Sequence, residues 1–119
     1  MSVKQLNTQE FLHSVADWEH LTDQGLPQFK SARPVVVDVF ASWCHPCQRF
    51  APVFEQVAFE MEGKADFYKV DIDMNPGFSR YYNIRSVPTV LLFFSNGAFE
   101  RHVGVLSAQE LRMIVDRRC

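Results

Sequence analysis

The run Val35-Val36-Val37-Asp38-Val39-Phe40 constrains the fold more than any other stretch of this sequence. It is β-branched and apolar on both faces, so it reads as a strand covered from both sides, near the middle of a sheet. Such a strand needs layers above and below it. The next segment supplies one, because Phe50, Val53, Phe54, Val57, Ala58 and Met61 recur at helical spacing up to Gly63. Pro52 falls inside that run, where it removes a donor and predicts a kink. Phe67 to Ile72 is the next strand. Strand, helix and strand in this order imply a right-handed parallel crossover.

The remaining segments fit around this unit. Val3 to Leu6 reads as a short first strand. Asn7 with Glu10 forms a capping box, and Phe11, Val15 and Trp18 then follow as one helical stripe that Gly25 and Pro27 end. Gln28 to Arg33 is polar and predicts a loop. Asn75-Pro76-Gly77 marks a turn, with a short helix around Phe78 to Tyr82. Thr89 to Phe94 is a strongly apolar strand, and Asn96-Gly97 turns it back into Ala98 to Val103 as an antiparallel hairpin. Gly104 breaks that strand. Ser107 and Glu110 form a second capping box, opening a last helix with Leu111, Ile114 and Val115 inward and Arg117 and Arg118 at its C-terminal dipole. The expected architecture is α/β, a central mixed β-sheet with helices on both faces.

The chain has 119 residues, the length of one domain. Twelve Lys and Arg against fourteen Asp and Glu give a net charge of −2, which lacks the basic footprint of a nucleic-acid binder. The longest uncharged stretch, Ser86 to Phe99, contains Pro88, Asn96 and Gly97 and falls short of the ~18 apolar residues of a membrane span. Met1 to Leu21 carries acidic residues and no apolar core, so it does not read as a secretory signal. The expected setting is the cytoplasm.

The chemistry points to Cys44-His45-Pro46-Cys47, set between the central strand and the first turn of the following helix. A thiol there meets unpaired backbone N–H groups and the positive end of the helix dipole, and both favour the reactive thiolate. One helical turn brings the two sulfurs together. Cys44 lies at the open end and is the expected exposed attacker; Cys47 lies inside the helix and is the expected buried resolving thiol. Pro46 suits the first helical turn, where its missing N–H costs little. Attack by Cys44 on a substrate disulfide gives a mixed disulfide that Cys47 resolves. A zinc site is disfavoured because four ligands are needed, and His13, His20, His102 and Cys119 show no finger spacing. Cys119 reads as an idle terminal thiol. Asp38, alone among valines, is a carboxyl whose pKa desolvation raises towards neutrality, which suits a base.

Trp43-Cys44-His45-Pro46-Cys47 resembles the Trp-Cys-Gly-Pro-Cys site of the thioredoxin family, most closely of its bacterial type. The resemblance runs from residue 34 to 117. It includes Val37-Asp38-Val39-Phe40-Ala41 before the site, Ala51-Pro52-Val53 in the helix, and Lys69-Val70-Asp71-Ile72-Asp73 with Asn75-Pro76-Gly77. It also includes Ile84-Arg85-Ser86-Val87-Pro88-Thr89 and Val103-Gly104-Val105-Leu106-Ser107. It implies the thioredoxin fold, one thioredoxin-like domain over 1–119, and an N-terminal strand-helix-loop segment, 1–33, longer than usual. It implies that Asp38 shuttles the proton of the resolving cysteine, with Lys69 nearby, and that Pro88 is cis and packs on the disulfide. Val87 would then pair with an extended substrate peptide, in a groove bordered by Trp43 and Gly104, next to His45 and Pro46.

The implied activity is reduction of protein disulfides, with no bound cofactor. The redox disulfide Cys44–Cys47 would be reduced by an NADPH-dependent thioredoxin reductase, and the chain is expected to be a monomer acting on disulfide-containing proteins without nucleic acid or membrane. A more oxidising oxidase or isomerase, and a thioredoxin-fold binding or folding-helper module, are the alternatives. Several positions depart from the family pattern. His45 stands for Gly, Gln48 for Lys or Arg, Val39-Phe40 for Phe-Trp, and Ser86 and Val105 for smaller residues. An imidazolium at His45, beside Cys44, is expected to favour a Cys44 thiolate, raising the potential by about 30 mV above the ~ −270 mV of a thioredoxin.

Overall fold

The strand at the centre of the molecule is covered as its composition demands. In the computed structural model, which describes residues 3–119, β4 (Val35–Phe40) pairs with β5 (Asp66–Asp71) in parallel and with β6 (Thr89–Phe93) antiparallel. The edges are β1 (Val3–Gln5), parallel to β5, and β7 (Phe99–Val103), antiparallel to β6, so the five-stranded order is β1-β5-β4-β6-β7.

Alternation along β4 divides the interior into two cores. Val36 packs with Val90 and Leu92 of β6 under α2 (His45–Glu60) and α4 (Ala108–Asp116), through Phe50, Phe54, Val57, Leu111 and Val115. Val35, Val37 and Val39 pack with Leu91 and Phe93 on the opposite face, under α1 (Thr8–Ser14) and α3 (Pro76–Tyr81), through Phe11 and Phe78. Asp38 follows the alternation of Val36 and so faces the α2 side. Helices on both faces of a mixed sheet make this the thioredoxin-type α/β architecture expected from the sequence. α2 runs through Pro52 as one element to a cap at Met61.

Strand directions decide where the chemistry gathers. The C-terminal ends of β4 and β5, the start of β6 and the end of β7 all lie at one end of the sheet, because β6 alone runs against the other three. That end carries Ala41 to Cys44, Ile72 and Asp73, Val87 and Pro88, and Gly104.

The capping boxes are present at Asn7–Glu10 and at Ser107–Glu110. The helix expected from the stripe Phe11, Val15, Trp18 is shorter than its periodicity suggests. It ends at Ser14, and Ala16–Leu21 forms a strand, β2, paired antiparallel with β3 (Pro27–Phe29), where a loop was expected. The stripe survives because both elements feed one cluster. Phe11 and Trp18 have ring centroids 5.9 Å apart, and Trp18 stacks on Tyr81 at 4.7 Å. Gly25 therefore stops no helix; with φ at 79° it makes the β2–β3 turn, closed by Gly25 N–H on Thr22 O at 2.9 Å. Arg117 and Arg118 lie past the last residue of α4 and bind Glu100 at 3.5 and 2.8 Å.

Two glycines with positive φ give a graded test of this packing. A Cβ at Gly97 would press into the Pro27 carbonyl oxygen, whereas one at Gly25 would meet nothing within 4 Å. Gly25→Ala is expected to cost about 1–2 kcal/mol from backbone conformation alone. Gly97→Ala carries the same strain plus a clash with backbone, so it is expected to cost clearly more. Urea midpoints of both variants check this, and equal losses would contradict the close approach of the β6–β7 turn to Pro27.

Candidate active site

The β4–α2 connection puts both cysteines at the start of a helix. Cys44 is the N-cap of α2, His45 and Pro46 fill its first turn, and Cys47 follows. Cys44 and Cys47 are joined as a disulfide with Cα atoms 5.2 Å apart. Cys47 N–H donates to Cys44 Sγ at 3.2 Å, the N-cap bond that would stabilise a thiolate at Cys44 once the disulfide is opened. The imidazole of His45 is exposed beside it.

The two cysteines do not differ in exposure as the sequence suggests. Both cysteines are 4% exposed in the disulfide. Cys44 is covered because the chain before β6 folds over it. Val87 and Ile72 pack against the pair, and Cys44 Sγ lies 3.7 Å from Val87 O. The Val87–Pro88 bond is cis. This stretch is braced by Thr89 Oγ1 donating to Ser86 O at 2.8 Å and by Gly104 N–H donating to Pro88 O at 2.9 Å. Gly104 has φ at 98°, a conformation that favours glycine. No other backbone group among the described residues takes the N–H or C=O of Val87.

Trp43 is no core residue. It is 65% exposed, and its indole N–H donates to the Asp73 carboxylate at 2.7 Å. In the sequence Asp73 is only the end of the motif Lys69-Val70-Asp71-Ile72-Asp73. The contact joins two loops distant in sequence, and no local pattern announces it. Met74, Val103 and Val105 are also exposed large apolar residues, next in sequence to Asp73 or Gly104. With Trp43 they give the end of the sheet that carries the disulfide an exposed apolar rim.

Behind Cys47 lies a cavity of about 150 Å3, lined by Asp38, Phe40, Ala41, Ser42, Cys47, Gln48, Ala51 and Lys69. Asp38 is 3% exposed, and its Oδ1 has no hydrogen-bond partner. Burial pushes the Asp38 carboxyl up to about 7, against the pull of the Lys69 ammonium. Lys69 is the register partner of Asp38 on β5, and its Nζ lies 5.5 Å from the centre of the Phe40 ring. A carboxyl that changes charge near neutrality, in one cavity with Cys47, can accept and return a thiol proton.

No group of three or more His, Cys, Asp or Glu is placed to hold a metal ion among the described residues. Cys119 is free and exposed, with Sγ 3.7 Å from Lys64 O.

Comparison with known proteins is consistent with this geometry. The thioredoxin family model matches residues 2–117, taking in the segment before Pro34 as well. The M-type chloroplastic thioredoxin of Spinacia oleracea is 40% identical over 105 residues, 87% of this chain and 56% of that protein. The match therefore spans little more than half the length of that relative. A thioredoxin of Staphylococcus aureus is 38% identical over 82 residues, 69% of this chain and 79% of that protein. Among solved structures, a chloroplastic thioredoxin z superposes with a TM-score of 0.77 at 27% identity, covering 98% of this chain and 94% of the other.

The raised carboxyl has a thermodynamic signature. The ordinary value is 3.8 and the folded value about 7, so the folded state holds a proton that the unfolded state gives up. Stability from this group is fully present below about pH 4 and is lost as pH rises through 7. At about 1.4 kcal/mol per pH unit the loss is on the order of 4 kcal/mol. Asp38→Asn removes that dependence. Denaturant titrations of the oxidised protein at pH 4 and pH 8 are expected to show the variant gaining on the parent as pH rises; a pH-independent difference would contradict a buried, unpaired Asp38.

Proposed function

The chain belongs to the thioredoxin family, and on that premise we propose that it is a protein-disulfide reductase working by dithiol–disulfide exchange. The observation that carries the reading is the Cys44–Cys47 disulfide at the N-terminus of α2, facing the cis Val87–Pro88 bond with the Asp38 cavity behind it. In the reduced form the Cys44 thiolate, held by Cys47 N–H, attacks one sulfur of a substrate disulfide. A Cys44–substrate disulfide forms and the first substrate thiolate leaves. Cys47 then gives its proton to Asp38 and attacks the Cys44 sulfur. The Cys44–Cys47 disulfide closes, the second substrate thiolate leaves, and two electrons have passed to the substrate.

Substrate binding is read as strand addition. An extended peptide pairs with the N–H and C=O of Val87 and lies between Trp43 and Gly104, with His45 and Pro46 beside the sulfurs and Pro88 holding Val87 in place. The apolar rim suits segments exposed around a disulfide in a partner protein. The pair is reset by an external dithiol donor, for which an NADPH-dependent thioredoxin reductase is the proposed partner. No bound cofactor enters the scheme. One copy of the chain carries every group named, so we take a monomer as the working form. Its compartment is a reducing one, the cytoplasm, where disulfides are reduced rather than kept. Residues 1–119 act as a single thioredoxin-like domain.

Exchange of each cysteine separates the two roles. Cys47→Ser is expected to accumulate a mixed disulfide through Cys44, seen as a covalent adduct by mass spectrometry, while Cys44→Ser abolishes insulin-disulfide reduction with dithiothreitol. Trapping by Cys44→Ser would reverse the assignment.

His45 separates this reading from an oxidase or isomerase. Its exposed imidazole stands one residue from Cys44 in the first helical turn. An imidazolium there favours the thiolate and raises the potential by about 30 mV over a Gly-Pro site. Equilibration of parent and His45→Gly against glutathione at pH 7 is expected to show the variant as the stronger reductant. A variant of equal or higher potential would remove His45 as the tuning residue.

A further inference from the structure

The cavity behind Cys47 has a buried floor and an exposed rim. Asp38, Ala41 and Cys47 form the floor, each less than 5% exposed. Ser42 and Gln48 are exposed, and Phe40, Ala51 and Lys69 are half-buried. A volume of about 150 Å3 has room for water beside the unpartnered Asp38 Oδ1. The rim is tied across. Gln48 Nε2 donates to Ser42 O at 3.1 Å, joining the first turns of α2 to the loop that leaves β4. In the sequence Gln48 is a departure from the family pattern; in the structure its amide has a partner that also lines the cavity, the Ser42 carbonyl.

We propose that Gln48 is a positioning residue whose amide, tied to the Ser42 carbonyl, closes the mouth of the Asp38–Cys47 cavity. It thereby governs water entry and the return of the resolving proton to solvent. The proposal rests on the reading of Asp38 as the base for Cys47. During resolution the Cys47 proton moves to Asp38, the Cys47 thiolate forms its bond to Cys44 Sγ, and the Cys44–substrate bond breaks. Asp38 must then lose that proton to bulk water, and the route out passes Ser42, Gln48 and Lys69. A closed rim keeps Asp38 poorly hydrated, which disfavours its charged form. The titratable groups facing Asp38 are Lys69 from β5 and Cys47 from α2; its β6 partner, Val90, is apolar. Removal of the Gln48 amide leaves both in place, so its effect is read as hydration and not as a new charge.

The test uses Gln48→Ala, which removes bulk and donor, and Gln48→Met, which keeps bulk without a donor. Both substitute an exposed helical position. Two quantities are read: the carboxyl 13C titration of Asp38 in the reduced protein, and the pH dependence of resolution of a preformed disulfide between Cys44 and a small peptide thiol. In Gln48→Ala the Asp38 midpoint is expected to move acidward by about one pH unit, with the resolution profile moving in the same direction. Gln48→Met is expected to shift the same way by less. An unchanged midpoint in Gln48→Ala overturns the proposal. A midpoint that moves in Gln48→Ala but not in Gln48→Met also overturns it, because bulk and not the hydrogen bond would close the rim. Asp38→Asn separates the two readings. If it leaves resolution unchanged, the base assignment fails. If it slows resolution while both Gln48 variants titrate like the parent, the gate alone fails.

Discussion

Everything in this molecule hangs from the burial of β4. Val35, Val36, Val37 and Val39 are fully shielded from solvent, and neighbouring strands flank β4 on both edges. A strand held this way has little freedom at its end, so the loop that follows it starts from a fixed point. That loop carries Trp43 and Cys44 straight into the N-terminus of α2. The helix is pinned in turn by Phe50, Phe54 and Val57 against the same sheet. The placement of two sulfurs is thus a consequence of packing several residues away on either side. Reactive geometry on a rigid scaffold of this kind needs no ordering when the substrate arrives.

The site asks opposite things of its two ends. At Cys44 the first turn of α2 turns N–H groups and a positive dipole end towards a sulfur, which favours negative charge. In the cavity behind Cys47, Asp38 sits where negative charge is disfavoured, with burial outweighing the ammonium of Lys69. In the proposed exchange the first of these environments favours the attacking thiolate, while the carboxyl proposed as base changes charge near neutrality. Such opposed environments for neighbouring titratable groups are a recurring way of dividing acid and base roles. The alternation of β4 makes this arrangement available. The position that would otherwise carry a sixth apolar contact faces the α2 side, in one cavity with Cys47, and an aspartate occupies it.

The misreadings of the sequence share one cause. Phe11, Val15 and Trp18 have helical spacing, yet only the first lies in α1, because a short helix followed by a strand can deliver the same side chains to one cluster. Periodicity reports which residues are buried together; it does not report the backbone path that brings them there. Exposure of Cys44 failed for a similar reason. Helical position alone puts its sulfur at an open end, and the cover comes from Val87 and Ile72, on strand ends brought over by the sheet. The contacts of Trp43 with Asp73 and of Gln48 with Ser42 belong to the same class, since each partner is ordinary where it stands in the chain.

What local chemistry dictates was legible in the residues themselves. A doubly buried strand, a helix start at a cysteine pair, two capping boxes and a glycine turn are decided by neighbours within a few positions, where propensity and capping act. These determined the α/β class, the order of elements apart from the β2–β3 hairpin, and the identity of the sulfur pair. The rest was decided by direction. β5 runs with β4, β6 runs against it and β7 runs back, and only these directions bring Asp73, Pro88 and Gly104 to the end of the sheet where Cys44 waits. No residue carries that information by itself, because it arises from which strands lie side by side. The desolvation of Asp38, the tie across its cavity and the cover over Cys44 are all products of that arrangement.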